Sequence, residues 1–262
     1  MSPDLPVLTL VLMGAAALIC VAIPIVLLIV FKKKGADVLP FFIGCAVFFL
    51  FALLIEGLIN FAVSRSPLGE KISGNMILYG VYGGLMAGIF EETGRFLAFR
   101  TVLKRRLGND KNALMYGAGH GGFEAVMLIS VNYVTYAALI VMNSLGTLSK
   151  IVPEEAMEQV LPVLAAFTDL TSPWLILLAV VERVLAITAH ISFSVFVWFG
   201  AKSKKRRYLF PAAILLHALY DFIAVIAAQH FRLPALAVEG IVLLITVLIA
   251  LGAYGVYKKC HE

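Results

Sequence analysis

Polar positions along this chain fall in clusters, and between the clusters lie seven mainly apolar runs, at about 5–31, 38–63, 75–103, 112–144, 173–201, 207–229 and 234–257. Each is at least as long as the roughly 20 residues a helix needs to cross a bilayer. The pattern predicts an all-α polytopic integral membrane protein, a bundle of about seven transmembrane helices. Residues 1–262 form a single membrane domain on this reading, with no soluble domain left over. The longest polar stretch, about 145–172, carries Glu154, Glu155, Glu158 and Asp169 against Lys150 alone, and Pro153 and Pro162 interrupt it. It reads as an external loop with room for one surface helix.

Composition agrees, because charged residues make up 14% and hydrophobic residues 61% of the chain, where a soluble domain is about 25% charged. Lysine and arginine set the orientation. Fourteen of them lie in alternate connections (Lys32 to Lys34; Lys104, Arg105, Arg106 and Lys111; Lys202 and Lys204 to Arg207; Lys258 and Lys259), against Arg65, Lys71, Lys150 and Arg232 in the others. The amino terminus is expected outside and the carboxyl terminus in the cytoplasm. The net charge of +5 then faces anionic head groups of the lipid bilayer and is no sign of nucleic acid. The first run has no basic leader and no small-residue cleavage site before Phe31, so it reads as a retained span. Cys20, Cys45 and Cys260 are scattered and form neither a disulfide framework nor a CxxC knuckle.

Four runs break their own apolar pattern. Glu91, Glu92 and Arg95 interrupt the third, and His120, His190 and His217 sit inside three others. An ionisable residue near the bilayer centre costs roughly 2.5–3.5 kcal/mol on insertion scales, so such groups must face a protected interior and satisfy one another or bind something. Counted from the basic clusters, all of them lie roughly 14–20 Å below one membrane surface at about 1.5 Å per residue. Helical spacing pairs Glu91 and Glu92 with Arg95, His120 with Glu124, and His217 with Asp221 on common faces. Glu92 continues the stripe Gly80, Gly84, Gly88, the small-residue face on which neighbouring backbones approach. Gly117, Gly119, Gly121 and Gly122 either do the same around His120 or unwind the helix where it lines a cavity.

The order Glu-Glu-x-x-x-Arg, then His-Gly-Gly-Phe-Glu, then a lone mid-span histidine, then His-x-x-x-Asp resembles the intramembrane metalloproteases of the CAAX-processing and bacteriocin-processing superfamily. Within it, the GHGGFE segment and the seven-span layout are most similar to the YhfC-type membrane peptidases, with PrsW-type proteases as cousins. The resemblance covers about 72–221. It implies a glutamate-activated water, a histidine-bound metal, a site reached from the cytoplasmic half of the membrane, a membrane protein or peptide as substrate, and a bacterial plasma membrane as location. The CAAX enzymes' FxxxH motif is replaced here, since Glu124 follows Phe123 directly and His120 precedes it, which leaves His120 and Glu124 as alternative ligands.

The chemistry is coherent in its own right. Amide hydrolysis at neutral pH needs a strong nucleophile and charge stabilisation, and a divalent metal supplies both. Histidine nitrogens with a carboxylate suit zinc. Glu91 or Glu92 would accept the water's proton, and Arg95 would hold the other ionised. His217 with His120 or Glu124 forms the candidate metal site, with His190 and Asp221 as further candidates. Blander readings compete: an interhelical tie for Glu92 and Arg95, a packing role for His190, an orienting role for Asp221 on His217, and a structural ion pair between Glu56 and Arg183. His230 and His261 lie outside the spans and receive no role. HExxH, GxSxG and GxGD motifs are absent, which excludes the zincin, serine and aspartyl intramembrane classes. A proton- or ion-coupled transporter would also place carboxylates and histidines at midplane, though no internal repeat is visible. A catalytically inactive membrane scaffold is the remaining alternative.

Overall fold

The computed structural model describes residues 6–168 and 173–260. Asp169, His261 and the first residue of the predicted first span lie outside them. Among the described residues every regular element is helical. The elements are α1 (Val7–Lys33), α2 (Leu39–Ser64), α3 (Pro67–Ser73), α4 (Met76–Arg100), α5 (Lys111–Ser144), α6 (Glu154–Thr168), α7 (Leu175–Lys202), α8 (Lys204–His230) and α9 (Ala235–Cys260). Six of these, α1, α2, α5, α7, α8 and α9, are individually long and apolar enough to cross a membrane. The seventh candidate, α4, reaches that standard only together with α3, from which it is bent by 112°. The reason is its cargo: Glu91, Glu92 and Arg95 make it the least apolar of the long helices.

Local signals start and stop these helices. Asn75 caps α4, its side chain accepting from Ile77 N at 3.0 Å and Leu78 N at 3.2 Å, and Ser66 caps α3 just before Pro67, both favoured N-terminal arrangements. Gly35, at φ +91°, ends α1 in the left-handed region, with Ala36 N bonding back to Phe31 O at 3.0 Å, as helices often close. Helix α6 continues through Pro162. Three spans contain π-helical turns, at Phe48–Glu56, Val126–Val131 and Ile226–His230; such turns are frequent near functional sites.

The chain divides into two compact units. In the first, residues 1–23 and 125–183, Met13, Ala16 and Cys20 are buried, Ser130 Oγ donates to Ala17 O at 2.8 Å, and Tyr133 and Tyr136 pack on Phe167. Arg183 donates to its neighbour Glu182 at 2.5 Å.

The second unit, residues 24–124 and 184–262, contains every candidate site residue. Its core is aromatic, with Phe99 edge-on to Tyr116 and Trp198 and with Phe193 and Phe199 fully buried. Trp198 Nε1 and Lys202 Nζ both donate to Asp110 Oδ1, at 2.8 and 2.7 Å, which ties the loop before α5 to the end of α7. Glu56 accepts from Asn60 at 3.2 Å, and Tyr82 OH donates to Asn60 Oδ1 at 2.7 Å.

Within this unit α4 meets α8 closely across the glycine stripe. A Cβ on Gly84 would stand 2.3 Å from Ala218 O, and one on Gly88 2.6 Å from Ile214 O, whereas a Cβ on Gly83 would meet nothing within 4 Å. The backbones are therefore in contact, as small-residue stripes permit. Gly84→Ala and Gly88→Ala should each destabilise the protein in detergent by about 1–3 kcal/mol through overpacking. Gly83→Ala should leave the unfolding temperature unchanged or slightly raised, and equal losses for all three would refute this account of the stripe.

Candidate functional site

Close backbone packing places polar side chains from four helices against one another. On α4, Glu91 and Glu92 point to different neighbours because adjacent helical residues diverge by about 100°. Glu92 is fully buried, and both its carboxylate oxygens contact the Arg95 guanidinium. His217 Nδ1 on α8 lies 2.8 Å from Glu92 Oε1, and its Nε2 lies 3.5 Å from Asp221 Oδ2 one turn on. Both ring nitrogens of His217 are thus turned to carboxylates. The ring itself stacks on Phe193, with centroids 4.7 Å apart.

Glu91 turns the other way. Its Oε2 lies 2.8 Å from His120 Nε2 and 3.8 Å from His190 Nδ1. Among the described residues its Oε1 makes no hydrogen bond or ion pair. His190 Nε2 lies 2.5 Å from Glu124 Oε2, and its Nδ1 lies 3.2 Å from Arg95 Nη2. Arginine can only donate, so His190 Nδ1 is the acceptor there and the ring proton sits on Nε2, beside the Glu124 carboxylate. That fixes the tautomer and turns the Nδ1 lone pair toward Arg95 and Glu91.

The helix that carries His120 is unbroken through Ala125, so its glycines serve approach and do not unwind it. A Cβ on Gly121 would be 3.0 Å from His190 Cβ, and one on Gly117 2.5 Å from Ile191 Cα. Those two positions let α7 come close enough for the His120 and His190 rings to stand 5.0 Å apart. His120 Nδ1 is buried without a partner among the described residues, so the Nε2 contact to Glu91 and packing orient this ring: Phe48 meets it edge-on at 5.3 Å and Tyr116 stacks on it at 6.0 Å.

One atom each from Glu91, His120 and His190 lie within 4.8 Å of one another, all three residues buried. Two nitrogens and one carboxylate oxygen are a zinc-type donor set. The 2.8 and 3.8 Å separations bracket the roughly 3.3 Å edge of a tetrahedron with bonds of about 2.0–2.1 Å. The donor set of these residues fits a small divalent ion. His217 and Asp221 are not part of that trio; they sit behind Glu92. Glu124 backs His190, as a carboxylate commonly backs a metal-bound histidine.

Tyr116 was not among the residues the sequence singled out, yet it is fully buried, has a hydroxyl without a hydrogen-bond partner among the described residues, and lies with its ring 5.9 Å from the Arg95 guanidinium carbon. Its position four residues before His120, on the same helical face, was the available signal. Ser194 Oγ bonds to His190 O at 2.7 Å, which engages the backbone and leaves the ring free of it.

Fold and site together describe a polytopic membrane protein with a buried carboxylate and histidine centre. Comparison with known proteins narrows this class. Residues 19–243 match the YhfC intramembrane metalloprotease family, and the chain belongs to that family. It is 37% identical over 257 residues to the Bacillus subtilis (strain 168) protein described as "Uncharacterized membrane protein YhfC", a match spanning 96% of this chain and 95% of that one. No solved structure matches.

The Glu92 and Arg95 contact is a fully buried ion pair, and breaking such a pair from one side costs about 3–5 kcal/mol because a charge is left uncompensated. Arg95→Ala should destabilise the protein by that amount in thermal unfolding in detergent. Glu92→Gln with Arg95→Met should recover part of the loss, since no unpaired charge remains. A double variant as unstable as the sum of its singles would show that the two residues act independently.

Proposed function

We propose that this chain is a metal-dependent intramembrane protease acting on a membrane protein or peptide, with Glu91, His120 and His190 holding a divalent ion, zinc by its donor set. The observation that carries the reading is the convergence of these three buried groups from three helices. The family's description supports it, and a wider kinship with the CAAX-processing and PrsW-type enzymes is part of the same proposal. The bound metal would polarise the scissile carbonyl and acidify a water.

The chain's own residues then divide the remaining work. Glu91 is the carboxylate that faces both histidines, and its Oε1 accepts the water's proton and returns it to the leaving amine. Glu92 is the architectural member of the pair, held by Arg95 and His217. Glu124 fixes the ring of His190. His217 and Asp221 buttress Glu92 from α8 and belong behind the reacting groups, a different allocation from one in which His217 ligates the metal. The single membrane domain of 1–262, its core at about 72–221 and the external loop at about 145–172 complete the proposal, with the site in the cytoplasmic half of a bacterial plasma membrane.

Elemental analysis of detergent-purified protein should find about one metal per chain, lost from His120→Ala and from His190→Ala and retained by His217→Ala. Loss only in the His217 variant would transfer the ligand role to α8, and metal surviving removal of all three histidines would exclude the site. Absence of metal from carefully handled protein would favour a transporter or an inactive scaffold. Glu91→Gln should keep its unfolding temperature yet abolish processing of a membrane substrate in cells, because an amide can neither take up the proton nor ligate as a carboxylate does; normal processing by this variant would sink the mechanism.

Orientation has its own check. In a Cys260→Ser background, Thr147→Cys should react with an impermeant thiol reagent in intact cells and Asn109→Cys only after lysis. Reaction of Asn109→Cys without lysis would reverse the map.

A further inference from the structure

The basic end of the second unit holds a cavity lined by none of the residues of the carboxylate and histidine centre. It has a volume of about 480 Å³, and its walls include Asp37, Leu39, Val102, Arg105, Arg106 and Asn109. That size falls within the roughly 300–1,000 Å³ of small-molecule sites. Hydrogen bonds pin its walls. Asp37 N donates to Asn112 Oδ1 at 2.8 Å, and Asn112 Nδ2 donates to Asp37 Oδ2 at 3.0 Å and to Arg106 O at 3.2 Å. Asn109 Nδ2 reaches Gly35 O at 2.8 Å. The loop after α4 is thereby fastened to the turn between α1 and α2, and the cavity lies at that seam.

Its two cations differ. Arg106 Nη1 is 3.0 Å from Asp37 Oδ2. The Asn112 amide, with Arg106 behind it, holds the Asp37 carboxyl below the usual carboxylate range, so this charge is answered at neutral pH. Arg105 is exposed and has no ion pair among the described residues. Lys104 and Lys111 flank the pair in sequence, and Lys111 Nζ reaches Lys34 O at 2.7 Å. The lining calls for an anion, and a guanidinium fork matches the oxygens of a phosphate better than a point charge does.

The rim distinguishes among anions. Leu39 is 40% and Val102 59% exposed, and they stand where α2 begins and just past the end of α4, at the basic end of membrane-crossing helices. A soluble phosphate gains nothing from that apolar edge. A phospholipid would place its phosphate on the arginines and the start of its acyl chains on Leu39 and Val102. We propose that this cavity is a site for the phosphate head group of an anionic phospholipid, with Arg105 its principal ligand and Arg106 the second. The assignment is independent of the protease reading, since it uses none of that site's residues.

Diffuse attraction of basic loops to anionic lipid is general, so the experiment must separate a site from a field. Full-length protein in detergent is titrated with phosphatidylglycerol, phosphatidylcholine and inorganic phosphate and read by native mass spectrometry. One phosphatidylglycerol should be retained in preference to phosphatidylcholine. Arg105→Gln should weaken it by about tenfold or more, the loss of a charge-assisted hydrogen bond, and Arg105→Lys by less. Lys204→Gln removes the same charge from a different basic connection and should leave retention unchanged. Val102→Asn should weaken phosphatidylglycerol and have no effect on inorganic phosphate. Equal weakening by Lys204→Gln and Arg105→Gln, equal retention of the two lipids, or inorganic phosphate binding as tightly as phosphatidylglycerol would each overturn the proposal. Arg105 and Val102 are exposed, so unchanged unfolding temperatures serve as the folding control, and a shifted one directs the reading to Arg105→Lys.

Discussion

Arg95 carries a permanent positive charge on a membrane-length helix, and Glu92, one turn earlier, lies against its guanidinium with both carboxylate oxygens. Neither side chain has any exposure. Such a pair is tolerable only where lipid cannot reach it, because the desolvation of two ions must be offset by their mutual attraction and by further hydrogen bonds. His217 from α8 and His190 from α7 supply those additional contacts, at 2.8 and 3.2 Å. The ion pair on α4 therefore dictates that α7 and α8 be present, at this depth and with these residues turned inward.

That requirement explains the small residues. Side chains as short as histidine and glutamate meet across helices only if the backbones almost touch, and α4 presents Gly84 and Gly88 to the carbonyls of Ala218 and Ile214. Helix α5 does the same toward α7 through Gly117 and Gly121. A glycine in a helix ordinarily costs roughly 1 kcal/mol relative to alanine. Here that cost is offset because each missing Cβ brings a polar partner within bonding distance.

Much of this could be read from the residues in order. Spacings of three and four put Glu92 beside Arg95 and His217 beside Asp221, and the apolar runs gave helices close to those observed. What periodicity could not supply is which helices touch. The sequence alone allows His217 to face Glu124 or His120; packing turns it to Glu92, because the α4 glycine stripe rests on α8. The division of labour between Glu91 and Glu92 was likewise open, since adjacent residues on a helix differ only by a rotation until neighbours are known. Tyr116 and Phe193 hid among ordinary aromatic core positions, and their role as walls of the histidine rings follows only from three-dimensional contact.

Charge balance then connects the architecture with the proposed chemistry. If Glu91, Glu92, Glu124 and Asp221 are all ionised, four negative charges face the fixed positive charge of Arg95 together with His217, whose two ring nitrogens meet carboxylates, and a medium that penalises even one unpaired ion disfavours the excess. Glu92 is answered by Arg95 directly, and Asp221, a third exposed, has recourse to solvent. Glu91 and Glu124 lie on opposite sides of His190, one at each ring nitrogen. On that proposal a divalent ion among Glu91, His120 and His190 would neutralise Glu91 at close range and polarise the His190 ring beside Glu124. On the proposed function, the ion that serves hydrolysis would also balance the carboxylate of Glu91.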